Sequence, residues 1–171
     1  LGGDPGELAG DRAVARCAQE PIPLLSAAAS ATAARRAAAV GAGLLFDSLV
    51  TPARVRTLVD AYRTAGGTGP CVLVRRAWLG EPPREEVEHQ VEVYRSYAPS
   101  GAPAHWGAAE MIAETTDDVL ASRLVAVARD TGVDALNLRV HVPGVTIDAA
   151  REQIVALGNE VVPRVKRGLS S

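Results

Sequence analysis

Asn137, Arg139 and His141 fall at i, i+2 and i+4 within the otherwise apolar run Ala135 to Val142. Side chains alternate between the faces of a β-strand, so these three share one face. A polar triplet in such a run must find partners or water, because an unpaired buried polar group costs roughly 1 to 3 kcal/mol. Two arrangements satisfy it. Where the face lines a binding site, Arg139 and His141 can meet an anionic or carbonyl substrate beside Asn137, with the imidazole of His141 as proton donor. In the other arrangement the three form a buried hydrogen-bond network that fixes strand packing.

Arg75, Arg76 and Trp78 stand at or just beyond the end of the apolar run Cys71 to Val74, where parallel barrels place functional groups. One arginine can meet a cofactor or substrate. Neighbours in a strand point oppositely, so the other is expected to pack its stem against a helix and pair with a carboxylate. Trp78 can stack on a ring or cover the sheet edge. Asp47 and Ser48 end another apolar run, where they can cap the following helix or reach the mouth, capping being the preferred reading. The GGTG at 66–69 precedes a strand and does not open a helix, which makes it a turn and not a phosphate cradle. His89 and His105 read as surface and loop residues. No histidine pair has metal spacing, so no metal site is expected. Cys17 and Cys71 are far apart and are expected to be reduced and structural.

One element pattern positions these groups, and it occurs four times: a short apolar run, a turn, then helical spacing. Ile22 to Ala28 leads to Ser30, an N-cap for a helix from Ala31 to Val40 that Gly41 ends. Gly43 to Phe46 leads to Thr51 and Pro52, a cap and a first-turn proline, before the stripe Val55, Leu58, Val59, Tyr62. Gly66 and Gly67 stop that helix. Cys71 to Val74 is followed by a longer connection. It holds a helix over Glu85–Tyr97, a loop over 98–107 containing Pro99, Gly101, Pro103 and Gly107, and a helix capped by Thr116 that reaches Asp130. Ala135 to Val142 ends in Pro143 and Gly144, and Thr146 caps a last amphipathic helix through Ile147, Ala150, Ile154, Leu157 and Val161.

Strands separated by helices run parallel with right-handed crossovers, so the pattern admits an open doubly wound sheet or part of a barrel. The doubly wound alternative requires that the first and fourth strands not be the outer ones. A single domain is expected over 1–171, with 1–20 a connecting segment and 21–171 the four β/α units. The 171 residues are 47% hydrophobic and 4% aromatic, a core of small aliphatic residues that suits helices on a parallel sheet. A net charge of −2 without a basic stripe argues against nucleic acid. No run of about 18 apolar residues and no charged-then-apolar leader is seen, so no membrane association and a cytoplasmic location are expected.

The stretches PIPLLSAAASATAARRAAAVGAGLLFDSL (21–49), AYRTAGGTGPCVLVRRAWLGEPP (61–83) and DALNLRVHVPG (134–144) resemble successive segments of the luciferase-like monooxygenase superfamily. The resemblance covers nearly the whole chain. It implies an α/β fold that is a (β/α)4 half of a TIM barrel, with parallel strands corresponding to strands five to eight of the (β/α)8 family fold. It further implies FMN or a deazaflavin coenzyme across the barrel mouth, with its phosphate at the helix following strand five. Ala29, Ser30, Ala31 and Thr32 match that position, where free N–H groups and the helix dipole favour an anion. Arg75 is a further cofactor candidate, Arg139 and His141 are the catalytic candidates, and Asn137 and Trp78 are the substrate candidates.

The implied function is oxidation or reduction of a small-molecule substrate, the flavin performing the chemistry. Several catalytic groups of the family, and a basic side chain for the phosphate, come from strands one to four. Activity therefore requires a complementary N-terminal half or self-association, and unpaired outer strands predict a homodimer. The alternative is a half-barrel scaffold or fragment without catalytic capacity.

Overall fold

The computed structural model describes residues 10–20, 22–98 and 111–170. Pro21, His105 and the loop positions Pro99, Gly101, Pro103 and Gly107 lie outside them. In chain order the elements are α1 (Arg12–Gln19), β1 (Leu25–Ser26), α2 (Ala31–Ala39), β2 (Gly43–Phe46), α3 (Pro52–Thr64), β3 (Cys71–Leu79), α4 (Arg84–Tyr97), β4 (Met111–Glu114), α5 (Asp117–Thr131), β5 (Ala135–Arg139), α6 (Ile147–Ala156), a π-helical turn (Leu157–Val161) and α7 (Val162–Ser170).

All strand pairings are parallel, and β1, β2, β3 and β5 lie side by side in chain order. The first and last strands are thus the outer ones, which excludes the doubly wound alternative and matches part of a TIM-barrel-like fold. β4 is a strand that periodicity does not mark. It pairs with the far half of β3, Arg76 against Met111 through Leu79 against Glu114. The N–H of Leu44 donates to Pro70 O, and that of Gly80 to Glu114 O, while the N–H of Asp134 donates to Cys71 O. Since N–H and C=O alternate sides along a strand, β2 and β4 follow one another along one edge of β3, and β5 takes the opposite edge.

Two apolar clusters fill the convex side. Ala34, Ala37, Leu44, Phe46, Val55, Leu58, Tyr62 and Leu73 join α2 and α3 to the sheet. Ala77, Ile112, Leu120, Leu124, Leu157 and Val161 join α5 and the C-terminal helices to it. Thus the alternating residues Cys71, Leu73 and Ala77 face the helices, while Val74, Arg76 and Trp78 face the concave side. α4 departs from a simple β/α repeat: its Gln90 and Tyr94 bond side chains of Arg76 and Arg139, so it lies across the concave face. α5 completes the crossover instead.

The expected caps form at Ser30, Thr51 and Thr146, each accepting from the N–H three residues on. Thr116 sits at the N-cap of α5, but its side chain makes no cap bond. Gly132 closes α5 in the left-handed region, φ +68°. The expected stripe of the last helix is only partly buried. Leu157 and Val161 are buried, but Ile147 is 78% and Ile154 60% exposed; the partly buried positions of α6 are Ala149, Ala150, Gln153 and Ala156, so its packed side lies away from the isoleucines.

Candidate functional site

Two cavities adjoin at the C-terminal ends of the strands. The first, about 330 Å³, lies between the ends of β1 and β2 and helix α3. Ala27, Ala28, Ala29, Phe46, Val50 and Arg54 are among its walls. The nine-residue helix α2 starts beside it. Ser30 Oγ accepts the N–H of Ala33 at 3.2 Å, and Ser30 O accepts that of Ala34. The first-turn N–H groups of Ala31 and Thr32 precede any intrahelical acceptor. Arg54 reaches across from α3 and donates to Ala29 O at 2.9 Å, bringing a guanidinium to this corner. Helix dipole, free N–H groups and cation together can hold an anion, while the apolar wall can hold a flat ring. Sequence reasoning assigned the basic group to another part of the family's barrel and missed Arg54. A signal existed: a cation in the first turn of α3 opposes the helix dipole and so needs another purpose.

The second cavity, about 350 Å³, lies beneath α4 and is walled by Asp47, Ser48, Val74, Tyr94, Tyr97 and Arg139 among others. Arg139 pairs in register with Arg76, and Asn137 with Val74, so all four share the concave face. Arg139 Nη2 donates to Tyr94 Oη at 3.2 Å and its Nε to His141 O, also at 3.2 Å. β5 ends at Arg139; His141 follows it and is exposed, as is Asn137. Trp78 is 7% exposed on the face of Val74 and Arg76. Tyr94 was not singled out from sequence, although Gln90, Tyr94 and Tyr97 recur at i, i+4 and i+7 along one helix face.

Arg75 and Arg76 are both fully buried, and they part as strand alternation requires. Arg75 turns to the convex side and donates to Ser48 O at 3.0 Å and Val50 O at 2.8 Å. Through these two carbonyls it holds the β2–α3 loop. Arg76 donates through Nη2 to Gln90 Oε1 at 2.5 Å. Its Nε and Nη1 meet no acceptor among the described residues. Burial, and then the neighbouring Arg139, push the Arg76 guanidinium below its ordinary range, opposed by Tyr94 and Asp47.

The opposite end of the sheet carries a different polar cluster. Asp134 Oδ2 accepts the N–H of Cys71 at 2.7 Å and Arg63 Nη2 at 2.6 Å. Arg63 Nη1 also reaches Gly67 O and Gly69 O. Tyr62 donates to Ala42 O and accepts from Gly69 N–H. Gly67 permits this, since a Cβ there would meet the Tyr62 ring at 2.3 Å. The GGTG turn is thus structural, as expected. Cys71 is buried and its thiol pKa is raised, chiefly by desolvation. Among the described residues no cluster of histidine, cysteine and carboxylates can hold a metal, and no helix is long and apolar enough to cross a membrane.

No protein-family model matches the chain, and no curated protein sequence is similar to it. Solved structures do match. The monooxygenase RslO1 from Streptomyces bottropensis superposes with a TM-score of 0.63 at 16% identity, over 82% of this chain and 47% of the other. An F420-dependent secondary alcohol dehydrogenase, in complex with an F420–acetone adduct, gives 0.53 at 14% identity, over 84% and 49%. The EDTA monooxygenase EmoA from Chelativorans sp. BNC1 gives 0.51 at 15% identity, over 84% and 44%. At these identities the likeness establishes the fold. The chain spans about half the length of each of these structures.

Proposed function

We propose that this chain is the cofactor-phosphate half of a luciferase-like, flavin- or deazaflavin-dependent oxidoreductase. In this reading it forms a (β/α)4 half of a TIM barrel, with β1, β2, β3 and β5 as strands five to eight. The observation that carries the proposal is the first cavity, where the start of α2, Arg54 and an apolar wall converge at the strand ends. Ala29, Ser30, Ala31 and Thr32 hold the phosphate of FMN or a deazaflavin, and Arg54 neutralises it. Arg75 acts one step removed, fixing the loop at Ser48 and Val50 that borders the ring.

The bound coenzyme supplies hydride or oxygen chemistry. This chain's part is to orient the ring, exclude water beneath α4, and present Arg139, Asn137 and His141 to a small-molecule substrate. His141, exposed at the strand's end, is the proton donor, and Trp78 backs the substrate side. Titration with FMN, followed by quenching of flavin fluorescence, tests the reading. Quenching by the native chain that Ser30→Asp abolishes is the expected result. No quenching by the native chain, with FMN or with a deazaflavin, would overturn it.

A complementary strand set is part of the proposal, supplied by a second copy or another chain. Leu24 is 57% and Leu25 42% exposed at the outer edge by β1, and such an apolar edge seeks pairing. Sedimentation is expected to find a dimer at micromolar concentration. A folded monomer that still binds FMN would remove self-association while keeping the cofactor site.

A further inference from the structure

Asp47 follows the last residue of β2 and belongs to the walls of both cavities, as does Val74 on the neighbouring strand. The two cavities therefore meet along these residues. The Asp47 carboxylate is held through one oxygen only: Oδ1 accepts the N–H of Leu49 at 2.7 Å and that of Val50 at 3.2 Å, while Oδ2 accepts from no described residue. Asp47 is exposed, whereas Ser48 and Leu49 after it are buried. The turn thus fixes the carboxylate at the cavity junction and leaves its second oxygen as an acceptor. The rest of the second cavity is largely apolar and aromatic. Leu49, Val74, Tyr94 and Tyr97 wall it, the two rings standing edge to face with centroids 6.0 Å apart. Tyr97 is 68% exposed, so its ring is open to a guest. About 350 Å³ suits a small ring compound.

We infer that Asp47 is the specificity-determining residue of the second cavity, and that this cavity takes a neutral aromatic hydroxyl compound, a phenol. The phenol O–H donates to Asp47 Oδ2, and its ring lies against Val74, Tyr94 and Tyr97. An ionised carboxylate accepts and cannot donate, so it selects a ligand that brings the hydrogen, and an O–H bond to it is short and charge-assisted. An ammonium group also donates, but Arg139 stands on the same wall and repels it. The inference rests on the proposed function only in taking this molecule as the substrate. Because Asp47 and Val74 also face the first cavity, the bound hydroxyl lies beside the coenzyme ring of that reading.

Phenol, anisole and benzylamine are the probes, titrated into the full chain by calorimetry. Phenol is expected to bind at least about tenfold more tightly than anisole, in which a methyl group replaces the hydroxyl hydrogen. Asp47→Asn keeps Oδ1 for the turn and puts a donor amide in place of Oδ2. It should unfold at the native temperature and lose that preference, with phenol weakened about tenfold or more. Tyr97→Ala should weaken phenol and anisole alike, about fivefold. Equal binding of phenol and anisole by the native chain would overturn the inference, and this comparison decides even where a variant is unstable. An undiminished phenol preference in Asp47→Asn would overturn it too. Tighter binding of benzylamine than of phenol would overturn the neutral-hydroxyl assignment, and unchanged affinities in Tyr97→Ala would overturn the placement of the ring. Ser30→Asp should lose FMN and keep the phenol preference. Phenol selectivity without FMN binding would remove the coenzyme reading and keep this one, and FMN binding without phenol selectivity would do the reverse.

Discussion

The two ends of the sheet treat buried polar groups in opposite ways. At the N-terminal end, Asp134, Arg63, Tyr62 and the carbonyls of Ala42, Gly67 and Gly69 answer one another with short bonds. Farther along, Arg76 keeps donors that the described residues do not satisfy, and two cavities, both lined by Val74 of the same strand, open at the C-terminal ends of the strands. β3 passes through both, from Cys71 at one end to Arg76 and beyond at the other. The same strand thus carries a satisfied polar network at its start and unsatisfied donors farther along, an arrangement that parallels the separation of stability from function in parallel barrels. A network saturated by its own side chains has nothing left for a ligand; an unsaturated one does.

Substitutions sharpen this contrast. Tyr62→Ala removes a fully buried ring and a hydroxyl that both donates and accepts, so chemical denaturation should show a loss of about 4 kcal/mol. Tyr94→Ala, at a partly exposed position on the sheet-facing side of α4, should cost about 1 kcal/mol or less. Equal losses would break the division between the ends. Asp134→Ala leaves the Cys71 N–H and Arg63 Nη2 without their acceptor, and about 2 kcal/mol should be lost. The adjacent arginines test the same idea within one strand. Arg75→Met strands two loop carbonyls and should cost about 2 kcal/mol in thermal unfolding, against no loss at Arg76.

Caps give a smaller contrast. Ser30→Ala should lower stability by about 1 kcal/mol, whereas Thr116→Ala, which breaks no cap bond, should change it by only about a few tenths of that. The thiols complete the series. Exposed Cys17 should react promptly with a disulfide reagent, and buried Cys71 only as fast as the chain opens. Because the folded Cys71 pKa is raised, unfolded chains lose that proton first. Its contribution to stability is therefore full below the ordinary thiol range and declines as pH rises above it. A Cys71→Ser chain compared across that range isolates the decline.

Local signals carried most of the fold. Pro52 after Thr51 and the stripe at Val55, Leu58, Val59 and Tyr62 give α3 its observed start and buried face. Gly43 to Phe46 is β2 in full. β4 went unseen because its four residues, MIAE, show no full alternation and abut the helix of Asp117. The face of α6 was misjudged because its packed side is carried by small or polar residues, Ala149, Gln153 and Ala156 beside Ala150, which a hydrophobic stripe does not pick out. At the candidate site, the shared face of Asn137 and Arg139 was legible, and so was the polarity of the arginine pair, but the pair lies inside β3 and not at its end, because the strand runs on to Leu79. Which arginine faces which layer was not, since that depends on α4 crossing the concave side, a tertiary choice no spacing encodes. Arg54 illustrates the same boundary. Its role follows from the distance between α3 and the end of β1, which appears only once both pack on one sheet.

One small clamp at the far end of β3 governs how the sheet can grow. The side-chain amide of Gln153, from α6, accepts the N–H of Leu79 at 2.8 Å and donates to its carbonyl at 2.9 Å. These Leu79 groups point to the edge that β5 occupies lower down, since β4 has the other. Gln153 therefore imitates a single residue of a neighbouring strand and terminates the ladder. A foreign segment cannot zip along β3 past the end of β5, which leaves the outer edges of β1 and β5 as the places where a strand could still pair. The amide works as an end stop on an otherwise open edge.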